Sequence, residues 1–467
     1  MLQGRDRNWP RATVARLLFS RSQRSPWPRR ATPSLFSKQK VRVQRKSSMS
    51  PSLGSSQEVY DVVVLGAGYA GMMAALRLGR RRLGLRVALV NGSEQFVERV
   101  RLQESMVAPV KPRIASLSRY LRRTNVQFIR ARVLSLDPVR NMVTIEEDGS
   151  PRTIAFEQLI YALGSHVDTD NAPGALQHAF RLDPGEDPRS AAALRAALHA
   201  LAGCSARVLA VGGGPLSVEA AGEAKSTWPN MSVTLLSLTS AGDFSSAKVQ
   251  SVVRRDLTRL GVELVDNERV IEIESNVVNT ASGRRFPFDI CIWAAGMRAP
   301  PIATQAGLEV DAQDRVVVGT DLRSVSHPAI LAVGDSAHPN GPTGAPFRAS
   351  ALAAAVSGVY AAEQVIARNQ GRLIRPFSFS TFAQAVAVGR FAALFPLDAN
   401  DHQMLFVLGG RAASVLRSIL IWLVLHFITF ERLLPGVQTW PGRKRAAAPS
   451  ASQKSADRPD VQLKAGR

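Results

Sequence analysis

Two glycine clusters carry the chemistry that can be read from this chain. Gly66, Gly68 and Gly71 stand in the spacing G-x-G-x-x-G, with Ala67 and Ala70 between them, directly after the apolar run Val62 to Leu65. A buried strand that turns this way into a helix offers unblocked backbone N–H groups to a phosphate. The first glycine permits the turn, the second lets main chain approach a pyrophosphate, and the third lets helix and strand pack closely. The pattern returns after Arg207-Val-Leu-Ala-Val, where Gly212 and Gly214 hold the first two positions and Ser217 the third. Both clusters are therefore expected to bind dinucleotides.

The residues around them refine that expectation. The strand after the first cluster, Arg86 to Val90, ends on Asn91, where a carboxylate usually holds ribose hydroxyls. Asparagine accepts and donates hydrogen bonds but brings no charge. The strand after the second cluster, Ser232 to Ser237, also ends without an acid. Free ribose hydroxyls favour that acid and a 2′-phosphate is repelled by it, so NADH and NADPH both stay open. Three further strands end at turns: Glu157 to Ser165 through Ala162 and Gly164, Asp289 to Gly296, and Ala329 to Ser336 through Gly334 and Asp335. Asp335 stands at a strand tip, where open α/β sheets meet ligands; a helix cap is its structural alternative.

The remaining elements position these turns. A helix is predicted over 70–81, a small antiparallel insertion from 126–131, 133–136 and 142–147, and an Ala-rich helix over 349–367 packing back on the first unit. The charged stretch Phe96 to Gln103 reads either as a solvated helix face or as part of the crevice wall. His338 reads as a loop histidine or as one facing the ligand. Ile419 to Phe430 is an apolar run of 12, short of the roughly 20 residues that cross a bilayer, and fits a buried, dimer-forming or interfacial helix. Arg411, Arg417, Arg432 and Trp422 around it suit an anionic membrane surface.

Composition narrows the class. The chain has 467 residues, 45% of them hydrophobic, and a formal net charge of +22. Residues 1–50 carry 13 Lys or Arg against one acid and residues 432–467 carry eight against two, leaving the body near neutral. Basicity confined to tails argues against specific nucleic-acid recognition. The leader is Arg- and Ser-rich and resembles an organelle transit peptide; a disordered extension, or a start at Met49, is the other reading. Mitochondrial, cytoplasmic and peripheral membrane locations all remain open. Cys204 and Cys291 are far apart in no C-x-x-C pattern, which removes a disulfide scaffold and a local redox pair. The 7 histidines show no metal-ligand spacing.

Together these motifs resemble the two-dinucleotide-domain flavoprotein reductases, in the branch of type II NADH dehydrogenases and apoptosis-inducing-factor-like oxidoreductases, over residues 58 to 395. The resemblance implies an α/β fold with a discontinuous FAD domain (58–166 and 293–375) and an inserted NAD(P)H domain (167–292). A C-terminal α/β or helical region (376–434) would follow, between a basic leader (1–57) and a basic tail (435–467). It places FAD on Gly66, Gly68 and Gly71, with Asn91 beside the ribose. Ala162 and Gly164 would form one crossover and Gly296 the crossover back, and Asp335 would hold the ribityl chain. It puts NADH or NADPH on Gly212 and Gly214, and Glu219 near the nicotinamide and flavin rings as the catalytic residue. The implied activity is hydride transfer from NAD(P)H to flavin and onward to a quinone or another small acceptor, with peripheral membrane contact and a homodimer open. A slow-turnover signalling protein with basic tails that bind membrane or nucleic acid is the alternative. Two departures stand out: the helix after the first cluster lacks the cysteine pair of the disulfide-reductase branch, and Ser350 to Val356 lacks the glutamines frequent in quinone-reducing members.

Overall fold

The computed structural model describes residues 58–80, 83–184, 187–339, 349–377, 379, 383–397, 404 and 406–438. The leader, the polar linker Ser47 to Ser56 and the tail from 439 onward lie outside the described residues.

The strand Glu58–Leu65 is the axis of the first sheet. Val62, Val63, Val64 and Leu65 are wholly buried, as a run covered on both faces must be. It pairs in parallel with Val87–Asn91 on one side and Ser150–Tyr161 on the other, with Val63 opposite Ala88 and Leu159. Ile330–Ala332 adds a parallel strand beyond Ser150–Tyr161, so a segment distant in sequence completes this sheet. The antiparallel insertion is built by Arg132–Asp137, Met142–Glu147 and the early part of Ser150–Tyr161. Val126–Arg130 is not part of it. It pairs in parallel with Val87–Asn91, with Val87 opposite Val126, where its buried Ile129 joins the main core.

A second sheet of five parallel strands runs in the order Glu263–Val265, Ser232–Leu236, Arg207–Val211, Ile290–Trp293, Phe180–Arg181. Its chain enters through His166–Val167 and leaves through Met297–Arg298, which pair antiparallel with each other. After the long helix Ala351–Asn369 comes the hairpin Ala383–Val388 and Phe391–Pro396, and then the helix Gly410–Leu433. That last helix is 24 residues long, twice the apolar run expected from sequence. Its less apolar first turns are held by packing, since Ala413 is buried against the hairpin.

Helix Tyr69–Leu78 is buried along its whole length, Arg77 included. Ala351–Asn369 lies so close to it that a Cβ on Gly358 would overlap the Ala70 carbonyl. Arg77 answers the resulting burial problem. Its Nε and Nη2 donate to the two oxygens of Glu431 at 2.5 and 3.0 Å, Nη1 donates to Glu363, and Nη2 also reaches the Gln438 carbonyl at 2.6 Å. Three helices are thereby joined through one guanidinium in its forked geometry. Removing one partner of such a buried pair leaves an uncompensated charge, so Glu431→Ala should lower unfolding free energy by about 3–5 kcal/mol. Arg77→Met/Glu431→Leu should recover most of that loss in urea unfolding. A loss below about 1 kcal/mol in the single variant, the range of an ordinary hydrogen bond, would show that Glu363 and Gln438 satisfy Arg77 alone.

Candidate functional site

The first glycine turn is formed by main chain pressed on main chain. Gly66 has φ +94°, and a side chain there would overlap the Ala162 carbonyl oxygen. Gly66 N–H bonds Val90 O at 2.8 Å and Ala162 N–H bonds Leu65 O at 2.9 Å, so the ends of three adjacent strands meet at this point. A Cβ on Gly71 would overlap the Gly66 carbonyl, which leaves only hydrogen between helix and strand. Gly68 is the opposite case: nothing lies within 4 Å of where its Cβ would be. Its open side faces a cavity of about 410 Å³ at the start of helix Tyr69–Leu78.

That cavity gathers residues from four separate stretches: Gly66, Ala67, Gly68 and Ala70; Asn91; Ala162 and Gly164; Gly334 and Asp335. Asn91 is already engaged. Its Oδ1 accepts the Ala67 N–H at 2.9 Å and its Nδ2 donates to the Ser93 carbonyl at 2.8 Å. The amide thus ties the glycine turn to the following loop, and a carboxylate could make only the first of those bonds. Asp335 sits in the turn Gly334–Ser336 just past the strand Ile330–Ala332, and its Oδ2 accepts the Ser165 hydroxyl at 3.1 Å. Among the described residues nothing donates to Oδ1, which remains available to a ligand hydroxyl. Gly334 N–H is satisfied by Ser357 Oγ at 3.1 Å. Ser350 accepts the Ala353 N–H at 3.1 Å and caps the helix whose start, at Ala351 and Ala354, closes the cavity.

Several lining residues are absent from the motifs. The stretch Phe96 to Gln103 proves to be wall rather than a solvated face. Val97, Arg99 and Val100 line the cavity, while Glu98 is buried against Arg101 and Arg113. Arg99 Nη1 donates to Ser165 O at 2.6 Å and Nη2 faces Asp183 at 3.4 Å. Tyr69 is 7% exposed, stacks edge-on to Phe96 at 5.2 Å, and has its phenol pushed above the usual range by burial and then by Glu98. An aromatic between the second and third glycines was the available signal for Tyr69. His338 does not line this cavity; its Nδ1 lies 2.6 Å from Asp311 Oδ2, with Arg315 alongside.

The second turn repeats the first. Gly212 has φ +133°, and a Cβ there would lie 2.6 Å from the Ala294 carbonyl, while Gly214 again has open space. Ser217 is fully buried and turns its hydroxyl back to Gly214 O at 2.8 Å, so the third position tolerates a side chain here. Gly296 lies at the return crossover, beside Asn171 and Asp168. Glu219 lies early in helix Pro215–Thr227 and is not among the residues lining the first cavity. Its Oε1 accepts the Ala387 N–H at 2.9 Å and faces Arg417 Nη2 at 3.3 Å. Burial pushes its carboxyl up, and Arg417 offsets only part of that; Glu223 is raised by burial and by Glu104. The two cysteines are unpaired: Cys204 is exposed, and the buried Cys291 has its thiol pushed up to about 12 by burial. No His, Cys, Asp or Glu cluster among the described residues could hold a metal.

Asn91→Asp sets a carboxylate oxygen against the Ser93 carbonyl. With that half-buried pairing lost, about 1.4 kcal/mol, roughly a tenfold loss of flavin affinity, is expected when the apoprotein is titrated with FAD. Unchanged or tighter binding would mean that the Ser93 bond contributes nothing to the turn.

Comparison with known proteins agrees with this geometry. The family described as pyridine nucleotide-disulphide oxidoreductase matches residues 60–359. An NADH dehydrogenase-like protein of Mycobacterium tuberculosis (strain CDC 1551 / Oshkosh) is 28% identical over 298 residues, 59% of this chain and 72% of the relative. The type II NADH:quinone oxidoreductase of M. tuberculosis (strain H37Rv) is 25% identical over 436 residues, 82% and 87% of the two chains. In fold, the chain is similar to NDH2 of Plasmodium falciparum solved with NADH, with TM-score 0.67 and 14% identity over 82% of this chain and 99% of that one. The chain belongs to the pyridine nucleotide-disulphide oxidoreductase family, as a flavoprotein oxidoreductase working with FAD and NAD(P)H.

Proposed function

We propose that this protein passes electrons from NAD(P)H through FAD to a quinone or another small acceptor at a membrane surface. The observation that carries the membrane part is the outward face of helix Gly410–Leu433. Ala413, Leu425, Ile428 and Glu431 turn inward, while Val415, Ile419, Trp422 and Leu433 stand exposed on the other side. A helix apolar on both faces, with only one packed on protein, presents the other to an apolar phase. The expected basic contribution is smaller than the sequence suggests. Arg417 is spent on Glu219 and Arg432 lies over the Tyr120 ring at 4.2 Å. Although this 24-residue helix, with an 18-residue stretch of mean hydropathy 1.9, could cross a bilayer by length and composition, Leu425 and Ile428 belong to the first core, which favours a helix lying on the surface. The name of the M. tuberculosis quinone reductase supports the acceptor.

The chain's own part in the reaction is placement. Under this reading the open side of Gly68 and the uncapped helix N-terminus behind it receive the pyrophosphate, and Asp335 Oδ1 accepts a ribityl hydroxyl. Bound there, the flavin supplies two-electron chemistry with nicotinamide and acceptor. Glu219 keeps the role that the resemblance gives it, and its raised pKa lets it hold a proton at Oε to higher pH than an ordinary glutamate. A reaction that uses that protonated form slows as pH rises through the folded-state pKa, and Glu219→Gln should remove that limb of the pH–rate profile; an unchanged profile would dissociate Glu219 from the reaction.

The decisive experiment is anaerobic. The flavin should bleach with NADH or NADPH and recover its absorbance on addition of a short-chain quinone. A colourless protein, or a flavin that bleaches but is reoxidised only by ferredoxin-like proteins, would overturn the reading; reoxidation by oxygen but by no quinone would reject the quinone. Ile419→Asp/Trp422→Asp should abolish flotation with phosphatidylcholine vesicles while leaving bleaching intact; retained flotation would reject this helix as the membrane face.

A further inference from the structure

The second nucleotide turn is attended by an arginine that chain order conceals. The strand Ser232–Leu236 leads into Ser237, at the place where a carboxylate would hold free ribose hydroxyls. Ser237 is 1% exposed and spends its hydroxyl on the Thr239 carbonyl at 2.6 Å. The carboxylate that meets this loop, Asp266, is consumed by it. Asp266 Oδ1 accepts the Ala241 N–H at 2.9 Å, and Oδ2 accepts the Ser240 hydroxyl at 3.1 Å and Arg254 Nη1 at 2.8 Å. Burial pushes the Asp266 carboxyl up, but the Ala241 N–H and Arg254 outweigh it, so it stays an anion bound to the loop.

Arg254 comes from the helix Ala247–Leu260, and its Nη1 also donates to Ser240 Oγ at 2.9 Å. Both contacts leave from Nη1. Among the described residues nothing accepts from Nε or Nη2, and the side chain is 33% exposed. The loop itself rests on the glycine turn: a Cβ on Gly213 would lie 3.4 Å from Ser237 Cβ and 3.6 Å from Thr239 Oγ1. A neutral strand end, an anion already paired with Arg254, the Thr239 hydroxyl and a guanidinium with spare donors thus converge beside the second phosphate turn. A ribose with free hydroxyls would find no carboxylate acceptor at Ser237. A phosphate dianion would find a forked cationic donor and the Thr239 hydroxyl.

We propose that Arg254 with the loop Ser237 to Ser240 recognises the 2′-phosphate of NADPH, making NADPH rather than NADH the preferred hydride donor. This rests on the reading above, in which the second turn takes the nicotinamide nucleotide. The test uses the full-length flavoprotein and two probes that carry no nicotinamide, 2′,5′-ADP and 5′-AMP, alongside anaerobic flavin reduction by each dinucleotide. Because a charge-assisted phosphate contact is at stake, 2′,5′-ADP should bind at least about tenfold tighter than 5′-AMP, and kcat/KM should favour NADPH by a similar factor. Arg254→Gln should erase that margin while leaving 5′-AMP binding within about twofold, since a neutral side chain keeps only an ordinary hydrogen bond. Thr239→Glu, at an exposed position that does not act through Asp266, should also erase it. Equal affinity for the two probes, or kcat/KM in favour of NADH, overturns the proposal. If neither dinucleotide bleaches the flavin, the reductase reading fails instead, and the probe titrations still decide this site.

Discussion

Main chain packed directly on main chain is the constraint on which the rest of this structure depends. At Gly66 the turn touches the Ala162 carbonyl, and at Gly212 the second turn touches the Ala294 carbonyl. In each case the strand that supplies the carbonyl pairs in parallel with the one that enters the turn, so sheet register and ligand turn are set by the same contact. Any side chain at either position would force the strands apart and disturb the open backbone at the start of the following helix. The neighbouring open positions, Gly68 and Gly214, follow from this arrangement, because the turn spends its crowding on the sheet side and leaves the helix N-terminus uncovered.

Around that fixed frame, charge does the joining. Arg77 unites helices from the beginning, middle and end of the described chain. The Glu219–Arg417 pair connects helix Pro215–Thr227 to the C-terminal helix at a second place. Both pairs link helices distant in sequence, and each holds a largely buried carboxylate that would be costly without its partner. The C-terminal helix is therefore fixed at two points along its length, which accounts for its regularity well before the apolar run begins.

The parts legible in the sequence were those whose cause is local. Glycine spacing, strand-to-turn transitions and the aspartate at a strand tip each involve a few consecutive residues, and the parallel sheet follows from them. What escaped was tertiary. Val126–Arg130 has no sequence mark that separates pairing with Val87–Asn91 from pairing with the insertion. The charged stretch around Arg99 looks solvated until the Ser165 carbonyl is placed beside it. Arg254 stands 17 residues beyond Ser237, and only the turn of the intervening helix brings it back to the loop. Asn91 shows a third kind of limit: the missing acid was visible, but not that an amide serves two neighbours at once.

The hairpin between the two long C-terminal elements carries a consequence for handling the protein. Its tip presses on helix Pro215–Thr227 so tightly that a Cβ on Gly222 would lie 2.7 Å from Gly389 N. Val386, Val388, Phe391 and Phe395 complete the same core as Ala220, Ala221 and Val253. The hairpin is thus a structural wall of the second core as well as a surface feature. Trimming it to obtain a more soluble enzyme would strip the lining from a folded interior and expose it to aggregation; solubility is better sought by recolouring the outward face of the last helix residue by residue.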